Sequence, residues 1–190
     1  MSRLQHAGSS PRTAAAGRPA RQADVLEAHR RAGRFFQAAG VRSFVREQGA
    51  GPAVLCMHGM IGSSFLYRKV LAELAARGLR GVAFDLPGFG LAGRPAGYDY
   101  SWTGLGKFCL AAVDELGLGD FHLVVQAIWA ADDPTMTLAV YGEKARAAAG
   151  LPGLDTVPGK HFPQEDQAPA IAEKITELAL RHDRGRLGAP

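Results

Sequence analysis

Histidine and aspartate residues recur at the ends of apolar segments in this sequence, and these two residue types can together carry acid–base chemistry. The residues in question are His58, Asp85, Asp132, Asp133 and His161. A carboxylate beside a histidine orients the imidazole ring and stabilises its charged form, so the ring can exchange a proton near neutral pH. The pattern predicts such a pair wherever these segments end close together in the fold.

The apolar segments are predicted to be strands separated by helices. Strands are predicted as a hairpin around Gly40 within 34–49 and singly at 53–57, 81–84, 121–131 and 154–159. Helices are predicted at 24–32, 63–78, 102–116, 137–150 and 163–183, the last interrupted early by Pro169. This alternation predicts an α/β fold with a mostly parallel sheet and helices on both faces. Ligands bind at the carboxyl ends of parallel strands, where these histidines and aspartates would meet.

The positive charge of the chain is concentrated at its beginning. Four arginines precede the first acidic residue, Asp24, and they are Arg3, Arg12, Arg18 and Arg21. They account for the whole net charge of +4, so the remainder of the chain is neutral. We therefore expect residues 1–23 to be a disordered basic tail and 24–190 to form one domain. A basic tail on a neutral body does not favour nucleic-acid binding.

The sequence also argues against several other classes of protein. No apolar run approaches the roughly 18–20 residues of a membrane span. Cys56 and Cys109 lie in apolar surroundings and form no metal-binding or disulfide pattern, which is typical of a protein of the reducing cytoplasm. The glycine-rich stretch GFGLAG lacks the lysine of a phosphate-binding loop. We therefore expect a cytoplasmic protein with no metal and no cofactor.

Four motifs carry a family resemblance, namely HGMIGSS, DLPGFG, WAADDP and GKHFPQED. In this order they resemble the α/β-hydrolase superfamily, and within it the haloalkane dehalogenase and epoxide hydrolase branch. The similarity extends from about residue 33 to 180, and four motifs on the expected elements make it specific. It implies a small-molecule substrate and hydrolysis of carbon–halogen, epoxide or ester bonds through a covalent ester.

The resemblance assigns roles to individual residues. Gly59 and Met60 match the oxyanion loop, with the backbone N–H of Met60 as one donor. Asp133 matches the triad acid, although Ala130 stands where the family usually has glycine. His161 matches the base, which in the family activates water against the covalent ester while the acid holds its tautomer.

The nucleophile elbow of that family is missing. After the strand FHLVV the family presents a serine or aspartate on a strained turn, whereas Gln126 and Ala127 follow here, and no G-x-S-x-G occurs. Ser63 and Ser64 suit helix caps better than nucleophiles. His58 and Asp85 are interpreted as structural residues of their turns. We therefore predict a shortened α/β-hydrolase fold that lacks the nucleophile, the sixth strand of the family and the cap domain.

The deletion fuses two strand cores in 121–131, which as one strand would be about 36 Å long. Because a small sheet holds shorter strands, two registers compete for the place beside strand 53–57. Either 122–125 or 126–131 fills it, and an odd slip would exchange the two faces.

In the second register, Asp132 or Asp133 would stand about where the family has its nucleophile. The sequence then predicts an Asp–His dyad with His161 that faces the Met60 amide.

Two functions follow from this sequence. The chain is either a hydrolase that depends on His161, or a non-catalytic remnant that serves as an interaction module. Losing a triad nucleophile costs about as much activity as losing the whole triad, which favours the second. Loss of the cap and a helix would also expose apolar sheet surface, so a homodimer through that face is expected.

Overall fold

The computed structural model describes residues 21–59, 61–124, 128–148, 150 and 152–187. Three predictions therefore lie outside the described residues: the disorder of residues 1–20, the Met60 donor, and the environment of Gln126. The first described helix, α1 (Gln22–Arg31), begins two residues before the predicted boundary of the domain.

Five strands form the main sheet in the order β1-β2-β4-β3-β5. They are β1 (Arg34–Ala38), β2 (Val41–Gln48), β3 (Ala53–Cys56), β4 (Arg80–Phe84) and β5 (Phe121–Val124). Strands β1 and β2 form the predicted hairpin, and its turn places Gly40 at φ +76°, a conformation that glycine adopts without strain. Strand β2 pairs antiparallel with β4, whereas β3 pairs parallel with both β4 and β5.

The helices agree with the sequence prediction in place and differ in detail. After α1 come α2 (Arg68–Ala76), α3 (Trp102–Glu115), α4 (Glu143–Ala148), α5 (Pro163–Asp166) and α6 (Ala168–Leu187). A 3₁₀ turn (Ser64–Tyr67) precedes α2, and a π-helical turn (Leu138–Gly142) precedes α4. The predicted interruption of the last helix falls at Gln167, between α5 and α6, so that Pro169 lies in the first turn of α6, where proline is tolerated.

Helices cover both faces of the main sheet, as predicted. Helix α3 buries Leu105, Phe108 and Ala112 against one face, which Leu55 and Phe84 supply. Its first turn is capped by Ser101, whose Oγ accepts the Gly104 N–H at 3.3 Å.

Helices α2 and α6 share the other face. Their buried side chains include Leu71, Leu74, Ile171 and Ile175, and they pack around Val54. The two faces together give the main sheet a hydrophobic core on each side, which is the arrangement of an α/β layer structure.

The fused segment is divided between two sheets. Strand β5 pairs in register with β3, from Phe121 opposite Ala53 to Val124 opposite Cys56. Strand β6 (Ile128–Ala130) leaves this sheet and pairs parallel with β7 (Asp155–Val157). Of the two competing registers the structure adopts the first, because Phe121 and Val124 then pack against the two cores. The arrangement that depended on the second register, with an aspartate at the end of the strand beside β3, does not occur.

Candidate active site

Asp133 and His161 lie at the carboxyl ends of two neighbouring parallel strands, β6 and β7. Because parallel strands end at the same edge, residues far apart in sequence are brought into contact there. The Nδ1 atom of His161 lies 2.9 Å from Oδ2 of Asp133. The structure thus brings together the acid and the base that the motifs indicated.

The carboxylate of Asp133 is held by the loop that follows it. Its Oδ1 accepts the backbone N–H groups of Thr135 at 2.8 Å and Met136 at 3.0 Å. Burial alone would raise the pKa of Asp133, but the hydrogen bonds from Met136, Thr135 and His161 lower it below its ordinary value. Asp133 is therefore an anion at neutral pH with a fixed orientation.

The imidazole of His161 contacts Asp133 through one of its two ring nitrogens. With Nδ1–H donating to Asp133, the other ring nitrogen, Nε2, is left as the acceptor. The side chain is 30% exposed, and its ring meets Phe162 edge-on with 4.8 Å between ring centroids. Within the described part of the chain, no hydroxyl, thiol or second carboxylate is hydrogen-bonded to His161. Among the described residues the site is therefore a carboxylate–imidazole pair without a hydrogen-bonded nucleophile.

Asp132, the other candidate acid, has a different contact. Its Oδ2 accepts the Gly159 N–H at 3.3 Å, and its own backbone N–H donates to the Gly159 carbonyl at 3.1 Å. These bonds join the ends of β6 and β7. Asp132 therefore supports the loop on which His161 lies and does not contact the imidazole.

The oxyanion-loop motif surrounds His58, which is buried. Its Nδ1–H donates to the Gly59 carbonyl at 2.8 Å, and its Nε2 accepts the Leu86 N–H at 3.0 Å. Burial lowers the pKa of His58, so the ring stays neutral and can accept at Nε2. The interpretation of His58 as a structural residue is confirmed, since it links the loops after β3 and β4.

Asp85 fixes the turn after β4, as the sequence predicted. Its side chain is fully buried and accepts the Ser64 N–H at Oδ1 and the Leu91 N–H at Oδ2, both at 2.7 Å. Gly90 approaches so closely that a Cβ there would lie 2.2 Å from Oδ2.

The predicted serine caps are wrong. Ser63 occupies the N-cap position of the 3₁₀ turn without a side-chain cap bond. The carboxylate of Asp85 accepts the Ser64 N–H instead and so caps the first turn.

An ion pair that sequence reasoning missed joins the segment after His161 to the first residue of α2, the helix that packs on the main sheet. Glu165, four residues beyond His161, accepts from both terminal nitrogens of Arg68, with Nη2 2.6 Å from Oε2. Lys69 also donates to the Glu165 carbonyl oxygen at 2.6 Å. Glu165 was part of a recognised motif, but no local signal paired it with a residue 97 positions earlier.

The described residues also bear on three other possibilities: a reactive thiol, a metal site and a membrane-spanning helix. Cys56 is a free, buried thiol, and burial raises its pKa to about 12, so it is unreactive. Among residues that the structure describes, no group of three or more His, Cys, Asp or Glu side chains is arranged to hold a metal ion. None of the described helices combines the length and the apolar character that crossing a membrane requires.

Comparison with known proteins relates part of this chain to a known family. The family model described as alpha/beta hydrolase fold matches residues 52–126. Haloalkane dehalogenase 2 of Mycobacterium tuberculosis is 35% identical over 118 residues, which are 62% of this chain and 40% of the dehalogenase. An epoxide hydrolase of Caballeronia sordidicola is 42% identical over 57 residues, 30% of this chain and 17% of the hydrolase. The match thus spans two fifths or less of the length of these relatives.

Solved structures give partial matches as well. The crystal structure of an epoxide hydrolase from Vigna radiata is 34% identical, with a TM-score of 0.46, and covers 48% of this chain and 30% of its own. An epoxide hydrolase from an endophytic Streptomyces is 35% identical, with a TM-score of 0.45, and covers 48% and 28%.

Proposed function

Since this chain belongs to the α/β-hydrolase superfamily, in its haloalkane dehalogenase- and epoxide hydrolase-like branch, we propose that it hydrolyses a small organic electrophile by a shortened route. His161 activates a water molecule directly, and no covalent ester forms. The observation that carries this proposal is the 2.9 Å contact between His161 Nδ1 and Asp133 Oδ2. It supplies an oriented base in a ring that is partly open to solvent.

The proposed step needs only groups that the site contains and water. For an ester, Nε2 of His161 takes a proton from water while the water oxygen forms a bond to the carbonyl carbon. The carbon–oxygen bond to the alcohol then breaks, and the imidazolium returns its proton to the departing alkoxide. General-base catalysis contributes about 10²–10⁴-fold, so the activity is expected to be far below that of an enzyme with a covalent nucleophile.

Hydrolysis of 4-nitrophenyl acetate tests this proposal. His161→Ala and Asp133→Asn should each lower kcat/KM by about 10²-fold, because they remove the base or its orienting acid. The control His122→Gln removes a different histidine, on β5, and should leave the rate unchanged. The wild-type rate should fall in D₂O and show no initial burst. Equal rates for His161→Ala and the wild type would contradict the proposal.

The shortened fold is part of the same proposal. Only residues 125–127 separate β5 from β6, which leaves no room for an elbow, a helix and a cap between these strands.

Both cysteines are free thiols, which fits a cytoplasmic protein. A fluorescent fusion found outside the cytoplasm would contradict this location.

A second candidate function is self-association through the β5 edge of the main sheet. In the described residues β5 is an edge strand, and an exposed edge offers unpaired N–H and C=O groups to another strand. Leu123 on this strand is 53% exposed, and Leu110 on α3 is 71% exposed. A second copy that adds its β5 antiparallel would pair both edges at once.

The oligomeric state separates this candidate from the first. Sedimentation should give a dimer for the wild type and a monomer for Leu123→Lys, since a charge on an edge strand opposes pairing. The control Leu178→Lys replaces an exposed leucine of α6 and should remain dimeric. A wild-type monomer at all concentrations would exclude the dimer.

A further inference from the structure

A cleft beneath α1 lies apart from the contacts of Asp133 and His161. This α1 cleft has a volume of about 480 Å³ and lies between α1, β2 and the start of α2. The lining residues that matter for its chemistry are Val25, Ala28, His29, Arg46, Phe65 and Arg68. The cleft therefore combines an apolar wall with two guanidinium groups.

The two arginines of the cleft differ in their partners. Arg68 is neutralised by Glu165 and stacks on Phe65, with its guanidinium carbon 3.9 Å from the ring centroid. Arg46 forms no salt bridge with a carboxylate of the described residues. Its Nη1 lies 3.0 Å from Nδ1 of His29. Arg46 is thus a half-buried cation that forms no ion pair with a described residue, and a buried cation without a bonded anion is costly.

His29 holds Arg46 in a fixed position. The imidazole is buried between Phe44 and Phe65, with ring centroids 4.8 and 5.1 Å away. Burial lowers the pKa of His29 to about 4, so the ring is neutral and Nδ1 accepts from Arg46. A guanidinium has five N–H donors, of which this contact uses one. Arg46 lines the cleft, and its other guanidinium donors form no hydrogen bond with a described residue.

The other charged residue of the cleft already has a contact of its own. Asp24 lines the cleft, but its Oδ2 accepts the backbone N–H of Arg21 at 3.1 Å in the first turn of α1. The net charge of Arg46, Arg68, Glu165 and Asp24 is zero, and Lys69 beside Glu165 makes it positive. Arg46 is therefore the arginine of the cleft lining that forms no ion pair with a described carboxylate, whereas Arg68 is paired with Glu165.

We propose that the α1 cleft binds a small organic carboxylate. The carboxylate group accepts two parallel hydrogen bonds from the Arg46 guanidinium, the geometry that arginine and carboxylate prefer. The apolar part of the ligand packs against Val25, Ala28 and Phe65, which form the apolar wall. This site is additional to the hydrolytic site, since it contains neither Asp133 nor His161.

Titration of the full chain with benzoate tests the proposal by calorimetry and by the NMR signal of the Arg46 side chain. Arg46→Gln should weaken benzoate binding at least about tenfold, because the charge-assisted pair is lost. Arg46→Lys should lie between Gln and the wild type, since it keeps the charge but not the fork. The matched control Arg30→Gln removes an exposed arginine of α1 and should bind as the wild type does.

Val25→Glu guards against a folding defect in the Arg46 variants. Val25 is 40% exposed, so this substitution leaves the core unchanged. The new carboxylate repels the benzoate carboxylate, and we therefore expect this variant to lose benzoate binding as well. Unchanged affinity in Arg46→Gln, or an equal loss in Arg30→Gln, would overturn the proposal. Equal affinities for inorganic phosphate and benzoate would contradict the proposal of an organic ligand, because phosphate has no apolar part to pack against the apolar wall.

Discussion

The main sheet and the β6–β7 pair differ in the packing that stabilises their strands. Every residue of β3 is buried, and helices cover the sheet on both faces. The β6–β7 pair has three residues in each strand, and a two-stranded pair alone is marginal in water. It is supported through Val157, which joins the core of α2 and α6, and through Lys174, 2.8 Å from Asp155.

The main sheet contains most of the buried core, whereas the candidate active site lies on the β6–β7 pair. The family match covers the main sheet from β3 to β5, while Asp133 and His161 lie on the loops of the smaller pair. The candidate site therefore depends on the part of the molecule with fewer supporting contacts. We therefore expect the main sheet to stay folded under conditions that already disturb the geometry of the β6–β7 pair.

The largest effect is expected from a cavity in the main core. Phe108 is fully buried, and its ring centroid lies 6.0 Å from that of Phe84. Phe108→Ala should lower the free energy of unfolding by about 3–5 kcal/mol, measured by urea denaturation. Val157→Ala, in the other region, should cost only about 2 kcal/mol. A larger loss at Val157 would show that the two regions depend on each other equally.

Hydrogen exchange should rank the two regions directly. The amide of Ala131, bonded to the Val157 carbonyl at 2.9 Å, should exchange with an opening free energy at least about 2 kcal/mol below that of β3 amides. The reason is that two short strands can open without disrupting the main sheet. Equal protection in both regions would contradict the comparison.

The ion pair between the regions should have a smaller effect. Arg68→Met should lower the free energy of unfolding by about 1–3 kcal/mol, because Glu165 loses a charge-assisted pair and stays half-buried. The control Arg77→Met breaks the pair between Glu73 of α2 and Arg77, the residue that follows α2, and should cost no more than about 0.5 kcal/mol. Denaturation that gives equal losses would mean that Arg68 does not join the regions.

The same pair predicts a pH dependence. The hydrogen bond from Arg68 is the main cause that holds the pKa of Glu165 below its ordinary value of 4.5. A carboxyl whose pKa is lowered by folding stabilises the protein above its unfolded pKa and ceases to do so as pH falls through the folded pKa. The stability difference between wild type and Glu165→Gln should therefore be constant above about pH 5 and shrink in more acidic solution. A difference that grows on acidification has the wrong sign.

The smallest effect concerns the first turn of α3. Ser101→Ala removes the acceptor of the Gly104 N–H and should cost about 1 kcal/mol in thermal or urea unfolding. Ser63→Ala is the matched control, because Ser63 stands at an N-cap position without a side-chain bond. Similar losses for both would show that the bond at Ser101 contributes nothing measurable.

Much of the fold could be predicted because its signals are local. The buried runs at β3 and β4, the hairpin turn at Gly40 and the helical pattern of α3 each depend on residues near in sequence. The motifs also indicated the residues of the acid–base pair. The serine caps could not be predicted correctly, because the competing acceptor, Asp85, lies 21 residues away.

The sequence by itself determined the strands and helices and the order of the motifs. Tertiary structure alone decided that β5 pairs with β3 while β6 pairs with β7, since both halves of the fused segment are apolar and local pattern specifies neither register. It also decided the contact of Arg68 with Glu165 and that of Arg46 with His29. These contacts join residues distant in the chain, and only the packing of helices onto the sheet brings them within bonding distance.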